Sequence, residues 1–198
     1  MAMLTASPRA LVRLAALGLL GPLGALTLAC SRGVVRDRSA VVATLFDTAG
    51  REVGTAVASS ANGKGIALDV AVAAISPGEH AVHIHAIGAC DRPTTVPYSS
   101  AGGHFNPTAK EHGRLNPKGW HAGDLPNIVV DSATGHGRMN TVVESITMQD
   151  GPTALLDADG SAIVVHANRD DERTDTGPAG PGNSGARVAC GVFRRAQP

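Results

Sequence analysis

Aromatic side chains make up only 3% of this 198-residue chain, with one tryptophan, one tyrosine and three phenylalanines. Proteins that grip nucleic acid stack bases on such rings beside a basic stripe. This chain has neither, because 17 basic and 17 acidic residues balance without clustering, and nucleic acid is excluded as a partner. A sustained helical period is absent, and no repeat of fixed length runs along the sequence. Cysteine occurs at positions 30, 90 and 190 only. The apolar run Leu14 to Ala29 is too short, and too interrupted by Gly21, Pro22 and Gly24, to span a bilayer as a mature helix.

What is abundant is valine, alanine and glycine. Hydrophobic residues reach 43%, enough for one core in one domain of this length. Small and β-branched side chains punctuated by Gly and Pro suit short strands and tight turns.

The first 30 residues have another character. Arg9 and Arg13 precede the uncharged run that stops at Cys30, the shape of a bacterial export signal. Two fates for Cys30 are open. Lipoprotein processing would make it the acylated N-terminus and attach the protein to a membrane; ordinary cleavage near Ala29 would leave a free or removed thiol. Either route places the mature chain in the periplasm or cell envelope. Removing residues 1–30 takes away two arginines and no acid, leaving 15 basic and 17 acidic residues. In an oxidising compartment the remaining pair, Cys90 and Cys190, reads most simply as a disulfide, against the alternative of two buried thiols.

Residues 31–39, SRGVVRDRS, read as a tether, and the domain is expected over 40–198. Apolar segments at 40–46, 52–59, 65–72 and 80–87 are separated by the turn signals DTAGR, SANGK and SPGE and predict an antiparallel meander. Further strands are expected at 127–131, 139–147, 161–167 and 187–194. Eight short antiparallel strands imply an all-β Greek-key sandwich or barrel. Two long irregular segments, 88–126 and 168–186, interrupt it, and long loops in a compact domain usually carry function.

The histidines supply that function. His83 and His85 fall in HAVHIHAIGAC, where i and i+2 share one strand face. His104 lies in AGGHFNP, His112 in KEHGRLNP, His121 and Asp124 in WHAGDLPN, and His166 in IVVHAN. Imidazole and carboxylate suit Cu(II) and Zn(II), and six histidines with one aspartate furnish two four-coordinate sites if one histidine is shared. These motifs, with VVHANRDD and GNSGARVACGV, follow one another as in the Cu/Zn superoxide dismutase family, which the chain resembles over roughly residues 40–195.

The resemblance implies an enzyme that dismutes superoxide, with copper and zinc as cofactors. It implies copper ligation by His83, His85, His104 and His166, and zinc ligation by His104, His112, His121 and Asp124, with His104 as the bridge. Zinc, being redox-silent, would fix geometry while copper cycles between Cu(II) and Cu(I). Asp170 would accept hydrogen bonds from His83 and His112, orienting both rings. Arg187, three residues before Cys190, would offer a permanent charge and a donor fork to a small anion; it and His104 are the implied catalytic residues. His80 would tie loop to barrel, and His136, in TGHGR, reads as a turn residue. The spacing around Cys90 looks like the bacterial branch. Arg194 and Arg195 stand where the eukaryotic branch keeps apolar dimer contacts, so the oligomeric state, monomer or bacterial-type dimer, is open. A metal-binding module without turnover is the main rival reading.

Overall fold

The computed structural model describes residues 40–62, 64–92, 95–148, 151–173 and 181–197. The export signal, the tether and Cys30 therefore lie outside the described residues, as do 174–180 of the second long loop.

Ten strands form one antiparallel sheet. They are β1 (Val41–Asp47), β2 (Glu52–Ser60), β3 (Ile66–Ala73), β4 (Gly78–His80), β5 (Val82–His85), β6 (Ile128–Val130), β7 (His136–Val143), β8 (Ala162–His166), β9 (Arg187–Val192) and β10 (Arg194–Arg195). Their spatial order is β4-β6-β7-β3-β2-β1-β9-β8-β5, with β10 added to β1. The two ends of that row, β4 and β5, are consecutive pieces of one segment, so this stretch closes the sheet into a barrel.

The segment expected as a single strand, 80–87, breaks at Ala81. Its N–H donates to the Asn168 carbonyl and its carbonyl accepts from His166 N–H, which moves the chain from its β6 partner to β8. The expected meander holds for β1, β2 and β3 only; β3 then pairs with β7 over eight residues, the long-range pairing that makes the topology a Greek key. His136 is not a turn residue but opens β7, opposite Ala73. The turn lies earlier, where Asp131 accepts from the N–H groups of Ala133 and Thr134 and Gly135 adopts φ 68°. At the other end Phe193 turns into the core and separates β10 from β9.

Strands β1 and β3 alternate buried with half-exposed residues, placing Val41, Ala43 and Leu45, and Ile66, Leu68, Val70 and Val72, inside the barrel. Strands β5 and β8 are buried on both faces. Val82, Ile84, Ile163 and Val165 join the barrel core, while the outward His83, His85, Ala162 and Val164 are buried on the other face.

Candidate metal centre

Alternation along β5 sends Val82 and Ile84 into the core and His83 and His85 to the outer face. His166 ends the neighbouring strand β8, opposite Arg187 of β9, at a register shift that follows Val165. The loop after β5 folds back along it. Ile84 N–H donates to Gly123 and its carbonyl accepts from Phe105 N–H, so His104 lies opposite His85 and Asp124 opposite His83. Gly123 permits this approach, since a Cβ there would fall 2.2 Å from the Ile84 carbonyl oxygen.

Each of the three strand histidines has one ring nitrogen engaged. His83 Nε2–H donates to Asp170 Oδ2 at 2.6 Å, His85 Nδ1–H to the Gly102 carbonyl at 3.0 Å, and His166 Nδ1–H to the Gly185 carbonyl at 3.1 Å. Because these oxygens only accept, they fix the tautomer and leave His83 Nδ1, His85 Nε2 and His166 Nε2 as bare lone pairs. All three nitrogens are buried with no hydrogen-bond partner among the described residues. Leaving a buried polar atom unpaired costs about 1–3 kcal/mol, a cost that a bound cation removes. One ligand atom from each of these rings and from His104 lies within 4.8 Å of the others, and the set can hold a metal ion.

A second set converges on one carboxylate oxygen. Asp124 Oδ1 lies 2.9 Å from His104 Nδ1, 3.1 Å from His112 Nδ1 and 3.2 Å from His121 Nδ1, and the His104 and His121 Nδ1 atoms are 3.3 Å apart. A tetrahedral ion with bonds of about 2.0 Å separates its ligands by about 3.3 Å, so these are distances a four-coordinate zinc site would have. Asp124 Oδ2 is held by the N–H groups of Gly113 and His121. With Nδ1 of His104 in this set, Nε2 is what its ring has left for the first.

Asp170 joins the two sets. It is 2% exposed, and Oδ1 accepts from His112 Nε2–H at 3.0 Å while Oδ2 accepts from His83. Asn127 clamps it through both backbone groups, donating from Nδ2 to its carbonyl and accepting its N–H. Gly182, at φ 63°, closes over it; a Cβ there would fall 2.0 Å from Asp170 Oδ1.

Burial pushes the His104 imidazolium down to about 4, assisted by neighbouring His83 and only partly offset by Asp124. Burial likewise holds His85 and His166 well below the usual histidine range, with His104 and then Arg187 adding repulsion at His85, and His83 at His166. These rings stay neutral, as metal ligands must. For His112 burial also opposes the cation, but hydrogen bonds to Asp124 and Asp170 outweigh it and raise the ring to about 10. Burial disfavours both carboxylates too, yet the surrounding imidazoles hold Asp124 and Asp170 far below the ordinary range.

Arg187 lines an open cleft of about 400 Å³ with His104, His166, His121 and Gly185. Its Nη1 donates to the Tyr98 carbonyl at 2.5 Å and its Nη2 to the Gly102 carbonyl at 2.7 Å. Both carbonyls belong to the loop that the Cys90–Cys190 disulfide, Cα–Cα 5.8 Å, ties to β9. Tyr98, fully buried, anchors the same loop by donating its hydroxyl to the Phe46 carbonyl at 2.7 Å. The buried His80 ties the second loop to the barrel through the His166 carbonyl, 2.7 Å from its Nδ1.

The seven ligand candidates, Asp170, Arg187 and the Cys90–Cys190 disulfide are thus gathered in one neighbourhood. The residues that sequence reasoning missed are of two kinds. Gly102, Gly185 and Tyr98 act through backbone carbonyls, which carry no sequence signature. Asn127 did have a signal, as the last residue of WHAGDLPN, but only the fold pairs it with Asp170.

The family model for copper/zinc superoxide dismutase (SODC) matches residues 52–193. The chain is 41% identical over 154 residues to "Superoxide dismutase [Cu-Zn] 2" of Aquifex aeolicus, covering 77% of this chain and 85% of that one. Among solved structures it is similar to a SOD-like protein from Bacillus subtilis, with a TM-score of 0.68, 36% identity and coverage of 76% and 96%. It is also similar to the Cu/Zn superoxide dismutase from Brucella abortus, with a TM-score of 0.60, 30% identity and coverage of 78% and 99%.

Proposed function

The chain belongs to the copper/zinc superoxide dismutase family, and from that membership we propose how its own residues divide the work of converting superoxide to dioxygen and hydrogen peroxide. His83, His85, His104 and His166 hold copper; His104, His112, His121 and Asp124 hold zinc; His104 serves both. The observation that carries this assignment is the trio of buried, unpartnered nitrogens on His83, His85 and His166, each with its tautomer fixed from behind.

Bound copper supplies the one-electron couple that takes an electron from one superoxide and gives it to a second, while zinc supplies fixed charge. The chain does the rest. Arg187, held at the cleft by two carbonyls, keeps a permanent positive charge where a small anion enters and offers its remaining donors to it. His104 Nε2 is the ring atom that picks up a proton and passes it to the reduced product, because His104 Nδ1 stays committed to the Asp124 side. Asp170 holds His83 and His112 in one orientation through the cycle. Overall two superoxides and two protons give one dioxygen and one hydrogen peroxide.

The protein works outside the cytoplasm, in the periplasm or envelope, attached to a membrane through acylated Cys30. The uncharged run before Cys30 and the disulfide in the domain support that location. Metal analysis of the purified protein with a superoxide-consumption assay tests the enzyme reading: copper and zinc near one each per chain with fast turnover is expected. Full metal without turnover would favour the metal-carrier alternative. Mass spectrometry of the N-terminal peptide tests the anchor, and an unacylated Cys30 in a soluble fraction would overturn it.

A further inference from the structure

One feature of the barrel serves neither metal set: its C-terminal strand, β10, places two arginines beside the point where the domain leaves its tether. Arg195 pairs with Val41 and Arg194 with Val42, and Ala196 N–H donates to the Ala40 carbonyl, so the C-terminal strand and the start of the domain form one edge. Both arginines are exposed, and neither guanidinium has an ion pair or hydrogen bond among the described residues. They stand at a groove of about 590 Å³ on the outer face of β1 and β9, lined also by Val42, Phe46 and Val192, with no acidic residue in its lining. Phe46 is 39% exposed there, a large apolar side chain left uncovered beside two unpaired cations.

The chain outside the described domain says what lies nearby. From Cys30 to Ala40 is a short tether that reaches at most about 36 Å fully extended, and it carries Arg32, Arg36 and Arg38 against Asp37 alone. If Cys30 is acylated, the chain that leads to it leaves the domain at Ala40, beside this edge, and keeps the edge within that reach of the bilayer. The domain as a whole is slightly acidic, so a basic edge facing the anchor is a local arrangement and not a reflection of net charge. Arginines on a surface close to an anionic leaflet add attraction to the headgroup phosphates, and an exposed aromatic can enter the interfacial layer.

We infer that the β1–β9–β10 face, with Arg194, Arg195 and Phe46, docks on an anionic phospholipid bilayer and sets the orientation of the domain on the membrane. This rests on the envelope location proposed above, yet its test reads a different quantity. The cleft that Arg187 lines and the docking groove share no lining residue: the groove takes Cys190, Gly191 and Val192 from β9, whereas the cleft takes Arg187 from the start of that strand, so docking need not consume the catalytic surface.

The test is the partition of the processed protein between vesicles of phosphatidylglycerol and of phosphatidylcholine, expressed as the anionic-to-neutral ratio. Acylation raises binding to both kinds of vesicle and cancels in the ratio, so failure of the anchor reading, seen by mass spectrometry, stays separate from failure of the docking face. The double variant Arg194→Gln, Arg195→Gln is expected to lower the ratio about thirty-fold, each basic residue near an anionic surface contributing roughly one unit of the usual headgroup attraction. Raising salt to 0.5 M should lower the wild-type ratio toward that of the variant. Phe46→Ser should weaken anionic binding further while superoxide turnover in solution stays unchanged in all three proteins. A wild-type ratio near one, or a double variant with the wild-type ratio, overturns the proposal. So does a chain that sediments as a dimer and becomes monomeric in the double variant, since a second copy would then cover this face.

Discussion

Replacing Asp170 should weaken zinc more than copper. The carboxylate is almost fully buried and receives His83 Nε2–H at 2.6 Å, His112 Nε2–H at 3.0 Å and Glu172 N–H at 2.6 Å. A hydrogen bond to a charged group contributes about 1.5–3 kcal/mol, and the donor left behind in a buried site is then unsatisfied. Asp170→Ala should therefore lower affinity at each ring it orients by about 10- to 100-fold, the range expected when the partner behind a metal-bound histidine is removed. The two rings do not suffer alike. His83 is fixed by the β5–β8 register, opposite Val164, whereas His112 sits on an irregular loop and has both ring nitrogens on carboxylates, Nδ1 on Asp124 and Nε2 on Asp170. Asp170→Asn keeps one acceptor and should fall between. Competition with a chelator for each metal, on protein whose circular dichroism is unchanged, measures both affinities. Wild-type zinc affinity in Asp170→Ala, or copper lost with zinc intact, would refute the reasoning.

Three other outcomes follow from the site. Arg187→Ile should cut the second-order rate about ten-fold or more at unchanged metal content, Arg187→Lys should be intermediate, and added salt should slow the wild type more than Arg187→Ile; an unaltered rate in fully metallated Arg187→Ile removes this residue from the substrate path. Metal-free protein should lose stability on acidification: His104 titrates at 6.5 unfolded and about 4 folded, so the unfolded chain binds more protons in that window, and about 3 kcal/mol present above pH 6.5 is lost as pH falls to 4. His85 and His166 act in the same direction, whereas the raised His112 stabilises below 6.5 and loses its contribution toward pH 10; urea midpoints of chelator-treated protein at pH 7 and 5 decide the sign, and a midpoint no lower at pH 5 would contradict it. Reducing the Cys90–Cys190 bond, which closes a separation of 100 residues, should cost up to about 4.7 kcal/mol and loosen the loop whose carbonyls hold Arg187, read as a fall in both melting temperature and turnover.

The strands were legible where sequence periodicity and local turns agree. β1 and β3 alternate cleanly, β2 between them shifts register opposite Leu45–Phe46, and all three are joined by Gly- or Asn-containing turns, so their limits are nearly right from sequence. The break at Ala81 was not legible, because it is caused by hydrogen bonds to Asn168 and His166 more than eighty residues away. His136 was misplaced for the reverse reason: a glycine beside it suggested a turn, while the turn itself was already complete at Asp131–Gly135. The ligand candidates were legible because imidazoles and carboxylates act through side chains at fixed spacing. What positions them is mostly backbone: Gly102 and Gly185 set two tautomers through carbonyl oxygens that any residue would carry.

That division between side chain and backbone also separates the two metal sets. Three of the four nitrogens of the first set come from β5 and β8, whose pairing is part of the barrel. All four members of the second set, His104, His112, His121 and Asp124, come from the loop between β5 and β6, where the regular element among the described residues is the three-residue turn at Ser99–Ala101. The barrel therefore supplies geometry to the redox site, while the other site draws together residues of one long loop, and an ion there would stabilise that loop. The zinc-type site is then a folding element for residues 86–127, and the shared His104 is where that order reaches the ring on the copper side.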